Sequence, residues 1–294
     1  MSYVNQVADK ENLPVNERKK LGPTLNGKLE KLFRQLSGFL LDGLIVAFSG
    51  GIDSSMLLWA AKKVKDEKGG KLLAVTTDSP SLSRSELDDA LKFAKKLNVN
   101  HKIEKSEEIF DEEYIRNDSD RCYYCKTELF GITDAIAQKD EYKWVVYGYN
   151  FTDGKDIRPG HRAALENNVS SPLADAGFTK DDIRNVLRVN NLDIAEKPAS
   201  PCLSSRVMTG ISITEKRLND IEAMETILKV AGVKVFRVRL CQESKDLFLR
   251  IEAASEELQT VLKHRKNLVT EGKKRGYKWV TLDLEPYRTG GGVS

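Results

Sequence analysis

Phe48-Ser49-Gly50-Gly51-Ile52-Asp53-Ser54-Ser55 is the stretch from which the rest of the chain becomes readable. It ends the unbroken apolar run Leu44-Ile45-Val46-Ala47-Phe48, the pattern of a strand covered on both faces. It leads into Met56, Leu57, Leu58, Ala60, Ala61 and Val64, which suit a buried helix. Two glycines let the backbone turn sharply and approach a ligand without side-chain obstruction. Ser49, Ser54 and Ser55 add hydroxyl donors, and a helix start supplies unpaired N–H groups and a positive dipole end. The segment therefore predicts a cradle for phosphates. Asp53 is ill suited to touch phosphate directly, so a role through Mg²⁺ is expected of it. The bland alternative is a glycine-rich turn capped by Ser and Asp; serines on both sides and an aspartate inside weigh against it.

Working outward, Leu72-Leu73-Ala74-Val75 and Trp144-Val145-Val146-Tyr147 repeat the buried-strand pattern. Helical patterns lie between them. Ser83-x-x-Glu86 reads as a capping box ahead of Leu87, Leu91, Ala94 and Leu97, and Thr179-x-x-Asp182 caps a helix over Asp181–Val189. Cys125–Gln138 is a further helix, and Leu29, Leu32, Phe33, Leu36 and Leu40 mark an amphipathic one before the first strand. Such alternation predicts an α/β domain, a doubly wound parallel sheet, over residues 29–205. Residues 1–28, with Pro14, Gly22, Pro23 and Gly27, read as a loose polar extension. From residue 206 the pattern changes to helix Glu215–Ala231, strand-like runs Lys234–Leu240 and Leu247–Ile251, helix Glu256–Lys274 and strand Tyr277–Leu284. That predicts a smaller α+β domain over 206–294.

A length of 294 residues supports two domains. Lys+Arg 47 against Asp+Glu 44 is close to balance, which argues against a strong field for nucleic acid. No export signal and no apolar run near the ~18 residues a bilayer demands are visible, so a cytoplasmic protein without a membrane partner is expected. Lys263, Arg265, Lys266, Lys273, Lys274 and Arg275 read as the solvated side of a helix, with a tRNA-contacting patch as the alternative. His101, His161 and His264 are dispersed and are expected at the surface.

The chain has four cysteines, two of them in Cys122-x-x-Cys125, and Cys202 lies in a distant loop. This usage argues for metal or redox chemistry over a disulfide scaffold. Three thiolates would leave a metal centre one ligand short: water would complete a zinc site, and one iron of a [4Fe–4S] cluster would stay open. A redox pair at Cys122 and Cys125, a closed zinc site using Cys241 or a histidine, and ordinary free thiols are the competing readings.

In Val235-Phe236-Arg237-Val238-Arg239-Leu240 alternation puts Arg237 and Arg239 on one face. Paired guanidiniums suit a phosphate, or else a solvated sheet face paired with Glu or Asp. Arg206, after Ser204 and Ser205, is a similar candidate, and Glu225 lies on a helix that could approach the same site. Lys126, Asp153, Asp156 and Arg158 are weaker candidates, each readable as a surface charge.

Ser-Gly-Gly-Ile-Asp-Ser resembles the PP-loop of the ATP pyrophosphatases, with an adenine nucleotide alpha hydrolase-like fold, and lacks the Gly-Lys-Ser/Thr ending of a Walker A loop. The resemblance implies that ATP is cleaved to AMP and pyrophosphate with Mg²⁺. It also implies that the backbone near Ala74–Thr76 holds adenine and that Gly148 passes close to the ribose. From about Leu29 to Gly290 the chain resembles the LarE family of PP-loop sulfur transferases, through Phe48–Ser54, Asp156–Gly160, Ser200–Arg206, Val235–Arg239 and Val280–Leu284. That family resemblance implies adenylation of a carboxylate of pyridinium-3,5-biscarboxylic acid mononucleotide and replacement of AMP by sulfur, in nickel-pincer nucleotide biosynthesis. One group of the family gives up the sulfur of a cysteine in the loop ending Ser-Ser-Arg; here Pro201 occupies that place and the cysteine follows it. The pair at Cys122 and Cys125 instead resembles the group in which three cysteines, here with Cys202, hold a [4Fe–4S] cluster. The resemblance also implies catalytic roles for Cys202, Asp53 and Lys126, and a substrate-phosphate site at Ser205, Arg206, Arg237 and Arg239. The partners expected are a small mononucleotide, a sulfide donor and further copies of the chain. The rivals are a tRNA thiolase and a non-catalytic nucleotide sensor with a redox switch.

Overall fold

The computed structural model describes residues 15–155 and 159–287; residues 1–14 of the expected extension, and Asp156 and Arg158, lie outside them. Among the described residues the chain forms a four-stranded parallel sheet between helices and a smaller three-stranded mixed sheet.

The first layer is built from α1 (Val15–Leu41), β1 (Leu44–Ala47), α2 (Ile52–Lys68), β2 (Leu72–Asp78), α3 (Arg84–Lys96) and β3 (His101–Lys105). Then come α4 (Glu112–Ile115), α5 (Arg121–Lys139), β4 (Trp144–Tyr147), α6 (Pro159–Glu166), α7 (Pro172–Asp175) and α8 (Lys180–Val189). The sheet order is β3-β2-β1-β4, with β1 parallel to both β2 and β4. The chain thus winds outward to β3 and returns to the other side of β1. Between the carboxyl ends of β1 and β4 the winding reverses, the place where open α/β sheets bind their ligands.

All four residues of β1 are buried. Leu44 and Val46 join the core made with α1, α2 and α8, while Ile45 meets Leu73, Val75, Ile136 and Ala137 on the α5 side. A strand with no polar face is what helices on both sides require. Leu32 and Leu36 are fully buried against that core, and cutting either to alanine would cost about 2–5 kcal/mol.

Three differences from the sequence reading have physical causes. The first helix does not begin at Leu29: helical structure runs from Val15, broken at Gly22 (φ 74°) just before Pro23. Gly22 and Pro23 mark a break between two helical pieces, and Leu25 extends the buried stripe backward from Leu29. A proline in the first turn after a break loses no intrahelical bond. β3, His-Lys-Ile-Glu-Lys, was not expected as a strand because it is a half-buried edge, and charge on an edge blocks further pairing. The helix expected over Glu256–Lys274 is two, α10 (Leu258–Lys263) and α11 (Arg265–Lys274), separated at His264.

The second sheet follows α9 (Glu215–Val230), which is capped by the Thr214 side chain. It has the order β5 (Phe236–Glu243), β6 (Asp246–Ala253), β7 (Val280–Leu282), antiparallel then parallel. Its core takes in Tyr114 and Leu203 from the earlier part of the chain. The junction is fixed by buried Asn117, whose Nδ2 donates to the carbonyls of Met208 at 3.0 Å and Ile211 at 2.9 Å. The second core therefore closes over α4, α5 and the Cys202 loop.

Candidate active site at the end of the parallel sheet

The loop after β1 is held open by its own hydroxyls. Ser49 Oγ and Ser54 Oγ lie 3.1 Å apart, the Ser54 hydroxyl donates to the Gly51 carbonyl at 3.1 Å, and the Gly51 N–H points at Ser49 Oγ at 3.4 Å. Gly51 caps α2 without a side-chain partner, which leaves the first N–H groups of that helix for a ligand. Gly50 has φ 70°, and a Cβ there would lie 2.9 Å from Ala90 Cβ of α3. At Gly148, just past β4, a Cβ would sit 2.5 Å from the Ser54 backbone nitrogen. Only glycine lets the two strand ends meet this closely.

These elements line one cavity together with Thr76, Thr77, Ser79, Ser81, Glu108, Cys125, Lys126, Tyr147 and Cys202. Ser49, Ser54, Thr76 and Gly148, all candidates from the sequence, line it. Ser55 does not: it is fully buried, and its Oγ has no hydrogen-bond partner. One residue further along α2 rotates the side chain away from the loop and into the core. Ala74 is likewise wholly inside the sheet, so an adenine would meet the end of β2 at Thr76 and Thr77.

Asp53 is paired with a residue the sequence did not suggest. Lys180 Nζ, at the start of α8, lies 2.6 Å from Asp53 Oδ2, while Oδ1 is buried with no partner. Burial pushes the Asp53 carboxyl above its usual range, with Lys180 opposing the shift. The free Oδ1 is the capacity a Mg²⁺ on the phosphates would use. Lys197 acts on the loop's other side, 2.7 Å from Glu86, 3.0 Å from Asp89 and 3.2 Å from the Gly50 carbonyl.

Cys122 and Cys125 lie at the start of α5, three apart and so on one face. Cys202 precedes the 3₁₀ turn Leu203–Arg206 and lines the cavity beside Cys125. Burial raises the thiols of Cys125 and Cys202, and Cys125 also feels the charge of Cys202. Cys202 also feels Cys122 and the Arg121 guanidinium, which is anchored on Asn117 Oδ1 at 2.6 Å and the Ser204 carbonyl at 2.8 Å. Cys202 is exposed as a residue, at the mouth of the cavity it lines. All four cysteines are free. Among the described residues no three His, Cys, Asp or Glu side chains stand grouped as a metal site. The three thiols share a neighbourhood, and their donor type fits an iron–sulfur cluster.

The arginines behave differently from a bare phosphate clamp. Arg206 is buried, with Nε 3.0 Å from Glu225 Oε1. Arg239 is also buried, with Nε 2.7 Å from Glu252 Oε1 and a bond to the Ser205 carbonyl at 3.1 Å. The pairing with glutamates was expected only for a solvated face, yet both pairs lie inside. Arg237 is committed to the Ala199 carbonyl at 2.6 Å and lies over the Tyr287 ring. Burial lowers its pKa, with Arg206 adding to the effect. Arg206, Glu225 and Arg237 line a second cavity with Ser200, Lys229 and Lys234; Arg239 does not line it.

The comparisons with known proteins bear on this arrangement. A family model described as a PP-loop domain matches residues 22–119. An uncharacterized protein of Synechocystis is 37% identical over 90% of this chain and 97% of its own length. One of Methanocaldococcus jannaschii is 32% identical over 84% of this chain and 91% of its own. The pyridinium-3,5-bisthiocarboxylic acid mononucleotide synthase of Lactiplantibacillus plantarum is 30% identical over 85% of this chain and 88% of its own. The chain belongs to the LarE family.

As a LarE-family protein with a PP-loop domain it is an ATP-using enzyme. No helix among its described residues is long and apolar enough to cross a membrane. Several expectations for this LarE-family chain need correction. Asp153 does not line the cavity: its Oδ2 accepts from Asn150 Nδ2 at 2.6 Å, Asn150 Oδ1 caps the turn by accepting from the Thr152 N–H, and the Asp153 charge acts on Asp53. The histidines are not simply at the surface: His101 bonds Thr76 Oγ1 at 2.8 Å, and His161 stacks on Tyr149 and bonds the Tyr147 hydroxyl at 2.6 Å. Lys180, Lys197, Arg121 and Glu108 were missed. None carries a local signal except Lys180, which follows the Thr179 cap of a helix.

Proposed function

We propose that the protein is an ATP-dependent sulfur transferase that adenylates a carboxylate of pyridinium-3,5-biscarboxylic acid mononucleotide and replaces AMP with sulfur. The observation that carries this reading is the single cavity joining the Ser49–Ser54 loop to Cys125 and Cys202. A carboxylate oxygen attacks the α-phosphorus, the bond to the bridging oxygen breaks, and pyrophosphate leaves into the loop. The backbone N–H groups at the start of α2 and the Ser49 and Ser54 hydroxyls hold its charge. Asp53 Oδ1 would hold a Mg²⁺ on the same phosphates, and Lys180 keeps the carboxylate aimed. A sulfur nucleophile then attacks the acyl carbon and AMP departs, leaving a thiocarboxylate.

Cys122, Cys125 and Cys202 are the residues that would hold a [4Fe–4S] cluster, which when bound supplies an open iron able to carry sulfide. Arg121 braces the Ser204 carbonyl behind Cys202, and Lys126 lines the same cavity. The second cavity, with Arg206, Arg237, Lys229 and Lys234, is the place for the substrate's ribose phosphate. Incubation with ATP, the dicarboxylate and inorganic sulfide under anaerobic conditions tests the reading. AMP, pyrophosphate and a product heavier by the oxygen-to-sulfur exchange are expected; ADP and orthophosphate would overturn it. Iron and sulfide analysis of anaerobically purified protein tests the cluster, for which about four irons per chain are expected.

A further inference from the structure

The cavity between the loop and the thiols contains an acidic group that adenylation does not use. Glu108 opens a short 3₁₀ turn, Glu108–Phe110, after β3 and is 3% exposed. Its Oε1 accepts hydrogen bonds from the hydroxyls of Ser79 and Ser81, the latter at 2.8 Å. Those serines are themselves fixed. The Ser81 N–H donates to Ser79 Oγ at 2.9 Å, and the Ser81 carbonyl accepts from the Leu203 N–H at 2.8 Å, tying the carboxylate to the Cys202 loop. Among the described residues the side-chain partners recorded for Glu108 are the Ser79 and Ser81 hydroxyls and the Cys125 thiol, none of them a cation.

A buried carboxylate is out of place where ATP and a carboxylic acid must both be held, unless the ligand brings positive charge with it. Two carriers are available, the divalent ion on the phosphates and a cationic ring on the second substrate. Position decides between them. Glu108 acts electrostatically on Tyr114, Cys125 and Cys202, all at the thiol end. Asp53, beside the phosphate loop, feels Lys180 and Asp153 instead. The ring of an aromatic carboxylate is bonded directly to the acyl carbon, which has to reach both the α-phosphate and the sulfur donor. The ring therefore occupies the stretch of cavity that Glu108 lines.

Resting on the reading of this site as one that adenylates an aromatic mononucleotide, we propose that Glu108, positioned by Ser79 and Ser81, is the counter-charge that selects a cationic pyridinium ring over a neutral one. The carboxylate takes no part in bond making. It discriminates through charge, so its effect falls on binding of the ring and not on ATP.

Equilibrium dialysis of the full chain tests this with two probes, nicotinic acid mononucleotide and its neutral benzoate-ring isostere, and with ATP as a control. The wild type should bind the cationic probe more tightly by about tenfold. Glu108→Gln should bind both alike by losing affinity for the cation, with ATP affinity unchanged, and Glu108→Asp should keep part of the preference. An unaltered preference in Glu108→Gln, or a loss of ATP affinity equal to the loss for the cation, would overturn the assignment while leaving the adenylation reading intact. A wild type that binds neither probe would sink that reading and this inference with it.

Discussion

Lys180 and Asp53 stand 127 residues apart in sequence and 2.6 Å apart in the fold. The pair joins the start of α8 to the start of α2 and leaves one Asp53 oxygen buried and unpaired. Burial pushes the Asp53 carboxyl up against the pull of Lys180, so holding it ionised at neutral pH carries a cost in stability.

That cost can be measured. Because the folded-state pKa of Asp53 is raised above 3.8, its ionisation destabilises the fold as pH rises through the folded value. Asp53→Asn should therefore be at least as stable as wild type at pH 7, with the advantage shrinking as pH falls toward 3.8. Pyrophosphate release by the same variant should be lost. Urea titrations across pH, with a pyrophosphate assay, check both; a variant less stable than wild type at neutral pH would remove the argument.

The Arg206–Glu225 pair is buried on both sides, at 3% and 4% exposure, so each charge depends on the other. Glu225→Ala should cost about 3–5 kcal/mol by leaving an uncompensated guanidinium. Arg206→Met with Glu225→Leu should recover most of that loss, because two apolar groups need no partner. Equal destabilisation of single and double variants in denaturant would mean that packing, not charge, sets the cost. The double variant should bind a mononucleotide phosphate weakly even when well folded.

Thiol chemistry offers an independent check on the cysteine cluster. The thiolate is the reactive form, so a raised pKa slows alkylation at neutral pH. In metal-free protein Cys122, the exposed thiol with its neighbours close by, should be labelled first, and Cys125, raised well above its ordinary value, among the last. Cys202 should become reactive only as pH rises beyond the usual thiol range, since burial outweighs Arg121 there. Timed iodoacetamide labelling with peptide mass spectrometry gives the order, and early labelling of Cys125 would contradict its burial.

Legibility in the sequence followed how local each signal was. The β1–loop–α2 unit could be read because a buried strand, a glycine turn and a helix start are all written within about twenty consecutive residues. β3 could not, because an edge strand needs charge and so looks like a loop. Ser54 lines the cavity while Ser55, one step of helical rotation further on, is buried, a difference that adjacent serines do not reveal in the sequence. The arginine pair Arg237 and Arg239 was visible, but the identity of their partners was not. Glu252 comes from the facing strand, and Ala199 from the loop before Cys202.

By itself the sequence determined the parallel sheet, the phosphate loop at its end and the family to which the chain belongs, because each depends on contiguous residues or on a pattern shared with relatives. The tertiary structure alone decided which charges are paired, that Lys180 meets Asp53, that Arg206 meets Glu225, and that Glu108 faces the thiols with hydroxyls and a thiol, not a cation, as its partners. Those facts depend on which distant segments come within a few ångströms of one another. A charged side chain carries no mark of its partner until burial removes the water that would otherwise serve in its place.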